Sequence, residues 1–257
     1  MTPSEKQNKQ EKLKGVFELL LETLKIYYKN FGLYLGYSAW LFIPLVLTVF
    51  SVVTFSKETV QLLDLVFNLF IYSLMLVWII VTFTIITPLI KEGRAIKTRE
   101  ISSEAWASII PYSLISLLVL VIEFSGFLLL IIPGIVFVTW YYFAGIITVT
   151  EKIHVTLALK QSRALSKDRF FSVFWRIAGG NLFLFCLSGL VLSFIIYLNI
   201  STTKIDLLTY ITAPPSILDS AIYRVSEAFL LPIIAIYQVL LYLELKKTAS
   251  PAKVAIS

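Results

Sequence analysis

The sequence predicts an all-α fold: a polytopic transmembrane helical bundle of about six spans, with amphipathic interfacial helices on its cytoplasmic side. Three observations predict it. The 257 residues are 58% hydrophobic and only 15% charged, with a mean hydropathy of +0.86. Ordinary globular domains are about 45–50% apolar and about 25% charged, so this chain has too few charges to coat a water-facing surface. Its Asp, Glu, Lys and Arg residues leave four gaps of 26 or 27 residues, each longer than the about 20 needed to cross a bilayer as a helix. Finally, 19 of the 22 Lys and Arg residues fall on one side of the resulting topology. A soluble single domain and a disordered chain are both excluded.

The elements follow in order. Residues 1–12 read as a polar N-terminal tail with no apolar core and no cleavage site, so the first span is expected to act as an uncleaved signal anchor. Residues 13–247 read as a single membrane domain, with spans at roughly 32–55, 65–90, 106–124, 134–150, 171–198 and 225–243 and a C-terminal tail at 248–257. Spans three and four form one long apolar stretch interrupted only by Glu123. That length suits a helical hairpin, and Ser125-Gly126 or Pro133-Gly134 can break it. Continuous apolar runs, rather than alternating ones, argue against a membrane barrel.

Basic residues cluster before span one, after span two, after span four and at the C-terminus. Only Lys57, Lys204 and Arg224 lie on the other side. An even number of spans puts both termini together, and the positive-inside rule makes that side cytoplasmic, at the plasma membrane. The charge of +6 therefore reports orientation and does not imply a nucleic-acid partner.

Between residues 13 and 30, Leu13, Val16, Phe17, Leu20, Leu24, Tyr27 and Tyr28 recur at three- and four-residue spacing, opposite Lys14, Glu18, Glu22, Lys25 and Lys29. This is an amphipathic helix expected in the interface plane. A second, shorter one is expected around Ile101–Trp106. In a third, Leu159, Ser162 and Leu165 are expected to face the acyl boundary. Lys160, Arg163 and Lys167 share another side, placed to hold anionic lipid headgroups. Membrane lipids are thus the expected partners.

Several residues invite chemistry. Glu123 is a carboxylate inside a span, and such a charge needs a partner or a water-filled recess. An outer-leaflet ion pair with Arg224, shared with Glu227, is expected; a proton or cation site is the alternative. Gly179-Gly180-Asn181 in span five is expected to serve close helix packing. Pro44, Pro88, Pro111 and Pro232 read as kinks. Cys186 is the only cysteine and His154 the only histidine. Intramolecular disulfides, thiolate metal sites and imidazole clusters are therefore excluded, and Cys186 is expected to be a small buried hydrophobe. No HExxH, P-loop or Gly-x-Ser-x-Gly motif is present. No catalytic residue, cofactor or metal is expected.

The run Ile131-Ile132-Pro133-Gly134-Ile135 leads to Glu151, then to Ala158, Ser162, Leu165 and Lys167, with Phe170-Phe171 at the next helix. With Leu231-Pro232, Leu241–Lys246 and Tyr27–Phe31, this pattern resembles the glycerophosphoryl diester phosphodiesterase membrane-domain family and related small six-span bacterial proteins. Lys152 departs from the small residue usual there after the glutamate. The resemblance implies membrane topology and no catalytic residue, because the soluble phosphodiesterase of the fused relatives has no counterpart here. A non-enzymatic domain that organises lipid or a partner protein is the leading expectation. A small transporter or lipid-handling permease with its site at Glu123 is the alternative.

Overall fold

The computed structural model describes residues 13–203 and 217–249. The expected tails, 1–12 and all but the first two residues of 248–257, lie outside the described residues, as does Lys204. Among the described residues all regular structure is helical, and six helices are long and apolar enough to cross a membrane. They are Phe31–Thr54, Glu58–Lys91, Thr98–Leu129, Ile131–Glu151, Phe170–Phe194 and Asp219–Thr248. The six-span all-α bundle is therefore the observed architecture.

The boundaries differ where tertiary contacts override the charge pattern. Span two starts at Glu58 rather than near 65, so Asp64 lies inside the helix. Span three starts at Thr98, and the expected short helix around Ile101–Trp106 is simply its first turns. The hairpin does not break at Ser125-Gly126. Span three continues to Leu129, and Leu130 is extended (φ −171°, ψ 159°) before span four begins. Gly126 has a different use: a Cβ there would lie 2.6 Å from the Phe137 ring, and one at Gly134 would lie 2.4 Å from Phe127. The two glycines let the hairpin arms close tightly, as small residues do between membrane helices.

The chain divides into two compact units. One gathers the Val16–Lys29 helix, Val81–Gly180 and the last span from Ala235. Its interior holds Leu19, Phe83, Ile86, Phe143, Ile147, Ile236, Tyr237 and Leu240, all nearly solvent-free. The other gathers the described parts of Asn30–Ile80 and Asn181–Ile234. Tyr34, Leu41 and Ile79 are its most enclosed side chains, and Trp78 meets Tyr37 and Trp40 edge-on, each at 5.7 Å.

Within the first unit, polar ties fix the N-terminal segment and the Val16–Lys29 helix. Arg176 donates through Nε to the Lys14 carbonyl at 2.7 Å and through Nη2 to the Leu13 carbonyl at 2.8 Å. Glu22 meets Lys14 at 2.7 Å and Lys91 at 3.3 Å. The Val16–Lys29 helix buries Leu19, Leu20, Thr23 and Tyr27 and leaves Phe17, Leu21, Leu24 and Tyr28 exposed. Burial pushes the Glu22 carboxyl up, but the ammonium groups of Lys14 and Lys91 outweigh this and hold it below its ordinary value. A carboxyl lowered by folding contributes stability above the unfolded-state pKa and loses it as pH falls through the folded one. Protection of the Val16–Lys29 amides, taken relative to their acid-slowed intrinsic exchange, is therefore expected to fall on acidification below about pH 4, and Glu22→Gln to show lower protection already at pH 7. Protection that ignores both changes would show that Glu22 does not hold this helix.

The Val155–Lys167 helix corrects another expectation. Ala158, Ser162 and Leu165 are buried, and Ser162 Oγ donates to the Trp140 carbonyl at 2.7 Å. Its apolar side faces span four, not acyl chains. A polar hydroxyl at 162 suits this, because the helix of span four is interrupted just after Trp140, whose carbonyl accepts there. Cys186 is exposed rather than buried.

Candidate functional site

The second unit contains the most developed polar constellation inside the spans. Span two places Asp64, Asn68 and Tyr72 four residues apart, so all three share one side of the helix. A π-type turn covers Phe67–Tyr72, a local widening that recurs at functional positions. Span one supplies Thr48 and span six supplies Arg224 and Glu227.

Hydrogen bonds join them into one chain. Thr48 Oγ1 donates to Asp64 Oδ1 at 2.7 Å, and Asn68 Nδ2 donates to the same oxygen at 3.0 Å. Arg224 Nη2 donates to Asn68 Oδ1 at 2.8 Å, and Nη1 donates to Glu227 Oε2 at 3.1 Å. Tyr72 donates its hydroxyl to Glu227 Oε1. The Arg224 guanidinium also sits 3.7 Å from the Tyr72 ring centroid, a cation–π arrangement. The side chains of Arg224 and Glu227 are only 12% and 16% exposed. An unpaired arginine at the centre of a membrane helix costs about 2.5–3.5 kcal/mol on insertion scales. Here one carboxylate, one amide and one ring offset that cost.

A cleft of about 700 Å³ opens beside this network. Its apolar walls include Leu45, Leu192, Ile196 and Ile222, and its polar lining includes Asp64, Asn68, Asp219 and Arg224. Both side-chain hydrogen bonds of Asp64 use Oδ1, which leaves Oδ2 without a donor among the described residues. Nothing here forms a nucleophile–base pair. Among the described residues no cluster of His, Cys, Asp and Glu could hold a metal ion. What the arrangement offers chemically is binding: an apolar slot ending in fixed charges and hydrogen-bonding groups.

Of the partners expected for Arg224, Glu227 is present, and Asn68 and Tyr72 join it. Glu227 is one turn away on the same helix and needs no interhelical register to reach it. Glu123 is half-buried, with no hydrogen bond or ion pair among the described residues. Glu151 accepts from Tyr242 Oη at 2.8 Å and pairs with Lys246, so it pins the end of span four to span six rather than to the helix behind it. Lys152 instead reaches Glu104 at 2.8 Å. It also takes a left-handed backbone (φ 53°), a conformation that disfavours a residue with a Cβ.

Pro133 and Gly134 lie in the first turn of span four. Lys160, Arg163 and Lys167 lie together on the open side of their helix, and Arg163 stacks 4.4 Å from the Trp140 ring. Gly180 lies against Tyr237 and Gly179 against Val16; Asn181 falls in the other unit.

Sequence reasoning missed Thr48, Asp64, Asn68 and Tyr72. The available signal was the four-residue repeat of polar groups entering an apolar helix. A charged residue treated as a span boundary concealed it.

Six apolar helices with a charged, hydrogen-bonded cleft among them define an α-helical multi-pass integral membrane protein. No protein-family model, curated protein or solved structure matches the chain.

Proposed function

We propose that this is a non-enzymatic lipid-handling membrane protein that seats an amphipathic molecule in the Asp64–Arg224 cleft. The cleft itself carries the reading: a slot of about 700 Å³ with apolar walls and a fixed polar end, which is the form of an amphiphile site. Glu227 already neutralises Arg224, so the Asp64 carboxylate, with its Oδ2 open to the cleft, leaves the lining acidic. A headgroup carrying an amine suits that balance. Transport, if the protein performs it, is centred on Asp64 in this reading and not on Glu123. A second contact with lipid is the exposed row Lys160, Arg163 and Lys167, where each base near an anionic leaflet contributes about 1 kcal/mol. The resemblance in Ile131–Phe171 to the glycerophosphoryl diester phosphodiesterase membrane-domain family supports a membrane role and adds no activity.

Retained lipids, measured by mass spectrometry after purification in mild detergent, test both contacts. Leu45→Trp, which fills the slot, and Asp64→Asn, which removes its charge, should each lower retained amine-headed lipid several-fold. Replacing Lys160, Arg163 and Lys167 together by Gln should lower anionic lipid instead, and high salt should mimic that loss in the wild type. Unchanged amine-headed lipid in both cleft variants overturns the cleft reading. Unchanged anionic lipid in the triple variant leaves the three bases as topology signals only.

The orientation we propose places both termini in the cytoplasm of a plasma-membrane protein, on the strength of the 19-to-3 division of basic residues. In a Cys186→Ser background, Ser56→Cys and Ser201→Cys should react with an impermeant maleimide on intact cells, and Thr156→Cys should not. All three positions are exposed. The reverse pattern would invert the topology.

A further inference from the structure

The connection between spans three and four contains no polar side chain at all. From Gly126 to Val138 every residue is apolar or glycine. The nearest hydroxyls are spent on their own helices: Ser125 donates to the Val121 carbonyl at 2.7 Å and Thr139 to the Ile135 carbonyl at 2.9 Å. At the tip, Leu128, Leu129, Leu130, Ile131 and Ile132 are each between 69% and 74% exposed. A connection that emerges into water would place five large apolar side chains there, against the hydrophobic gain of burying each.

The backbone imposes the opposite demand. Two hydrogen bonds cross the break: Leu130 N–H to the Gly126 carbonyl at 3.1 Å, and Gly134 N–H to the Leu130 carbonyl at 3.3 Å. Pro133 has no N–H to offer. The N–H groups of Ile131 and Ile132 have no acceptor among the described residues. Unpaired backbone groups are not tolerated in hydrocarbon, where no water can satisfy them.

One location satisfies both demands: the boundary between acyl chains and headgroups, with side chains in the first and amides reaching the second. The length of the hairpin agrees. Its base is fixed by the Glu104–Lys152 ion pair at 2.8 Å. From that pair to Leu130 the span-four arm rises about 33 Å and the span-three arm about 39 Å at 1.5 Å per residue, against a hydrocarbon core of about 30 Å and about 40–45 Å with the headgroups. Arms of those lengths with ordinary tilt end at the far acyl–headgroup boundary, not in open water. We propose that the Leu128–Ile132 tip is a wedge lodged in the acyl–headgroup boundary of the far leaflet, binding lipid directly, and not an extramembrane loop. Both arms still return to the same side, so the order of the other spans is unaffected. The proposal depends neither on the cleft nor on which side is cytoplasmic.

Spin labels test it on the full chain, reconstituted in vesicles of phosphatidylethanolamine and phosphatidylglycerol. Leu128→Cys, Leu130→Cys and Ile132→Cys are used one at a time in the Cys186→Ser background, with Ser56→Cys as a water-facing reference. These tip side chains are exposed, so each substitution leaves the packing of the Gly126–Gly134 contact in place, and three independent sites guard against one misfolded variant. Collision with dissolved oxygen should exceed collision with a water-soluble nickel chelate several-fold at all three tip sites, with the order reversed at Ser56. Nickel collision as high as at Ser56 would make the tip a water-exposed loop. Low collision with both probes would mean that protein, such as a second copy of this chain, covers the tip. Either result overturns the proposal.

Discussion

Replacing Arg224 by leucine is expected to cost about 3 kcal/mol or more of stability, because it removes one member of a nearly enclosed pair and strands the other. Glu227 would keep the Tyr72 hydroxyl but lose its cation, and Asn68 would lose the donor that faces its Oδ1. Removing both charges is a different experiment. Arg224→Leu/Glu227→Leu replaces the pair by apolar side chains, and such exchanges are often neutral or stabilising. The double variant should therefore recover most of the loss. Arg224→Lys should fall between, because an ammonium retains the charge but cannot fork toward Asn68 and Glu227 while lying flat on the Tyr72 ring. Unfolding by a detergent-denaturant titration gives all three values. If the double variant is as unstable as Arg224→Leu alone, the pair is not what couples these helices.

Gly180→Val is expected to have an effect of similar size through a purely steric cause. A Cβ on residue 180 would lie 2.1 to 2.3 Å from Cζ, Cε1 and Oη of Tyr237, well inside contact distance. The ring cannot simply swing away. Tyr237 is fully buried, and its hydroxyl donates to the Arg176 carbonyl at 2.6 Å, one turn before the glycine. Arg176 in turn holds the carbonyls of Leu13 and Lys14, so a displaced span six would disturb the tie to the N-terminal segment. Overpacking typically costs about 1–3 kcal/mol, and occasionally more. The upper end is expected here, with a lower melting temperature and faster exchange of Val16–Lys29. Tyr237→Leu should be mildly destabilising alone and should rescue Gly180→Val in part. Gly180→Val with wild-type stability would show that the helices part without cost.

The sequence by itself determined the class, the number of spans and the clustering of basic residues that the orientation rests on. Those properties follow from quantities that act residue by residue: the bilayer has a fixed thickness, and each charge left inside it costs free energy wherever it stands in the chain. The four charge-free gaps and the uninterrupted apolar runs are countable without knowing any contact. The close approach at Gly179-Gly180 was also legible as a kind of feature, because only small residues allow it, although its partner Tyr237 was not.

Partner choice was decided by the tertiary structure. Arg224 meets Asn68 and Tyr72 of span two as well as Glu227. Glu151 belongs to Tyr242 and Lys246. Both outcomes depend on which helix faces turn toward each other and at what height, and helix rotation leaves no mark in composition or spacing. The same cause hid Asp64: a carboxylate reads as the end of a span until Thr48 and Asn68 are seen to meet it within the helix bundle. The side of the Val155–Lys167 helix that looked lipid-facing turned inward because Ser162 finds a carbonyl on span four. An amphipathic pattern records that two faces differ, while the packing around it decides which one meets protein and which meets lipid.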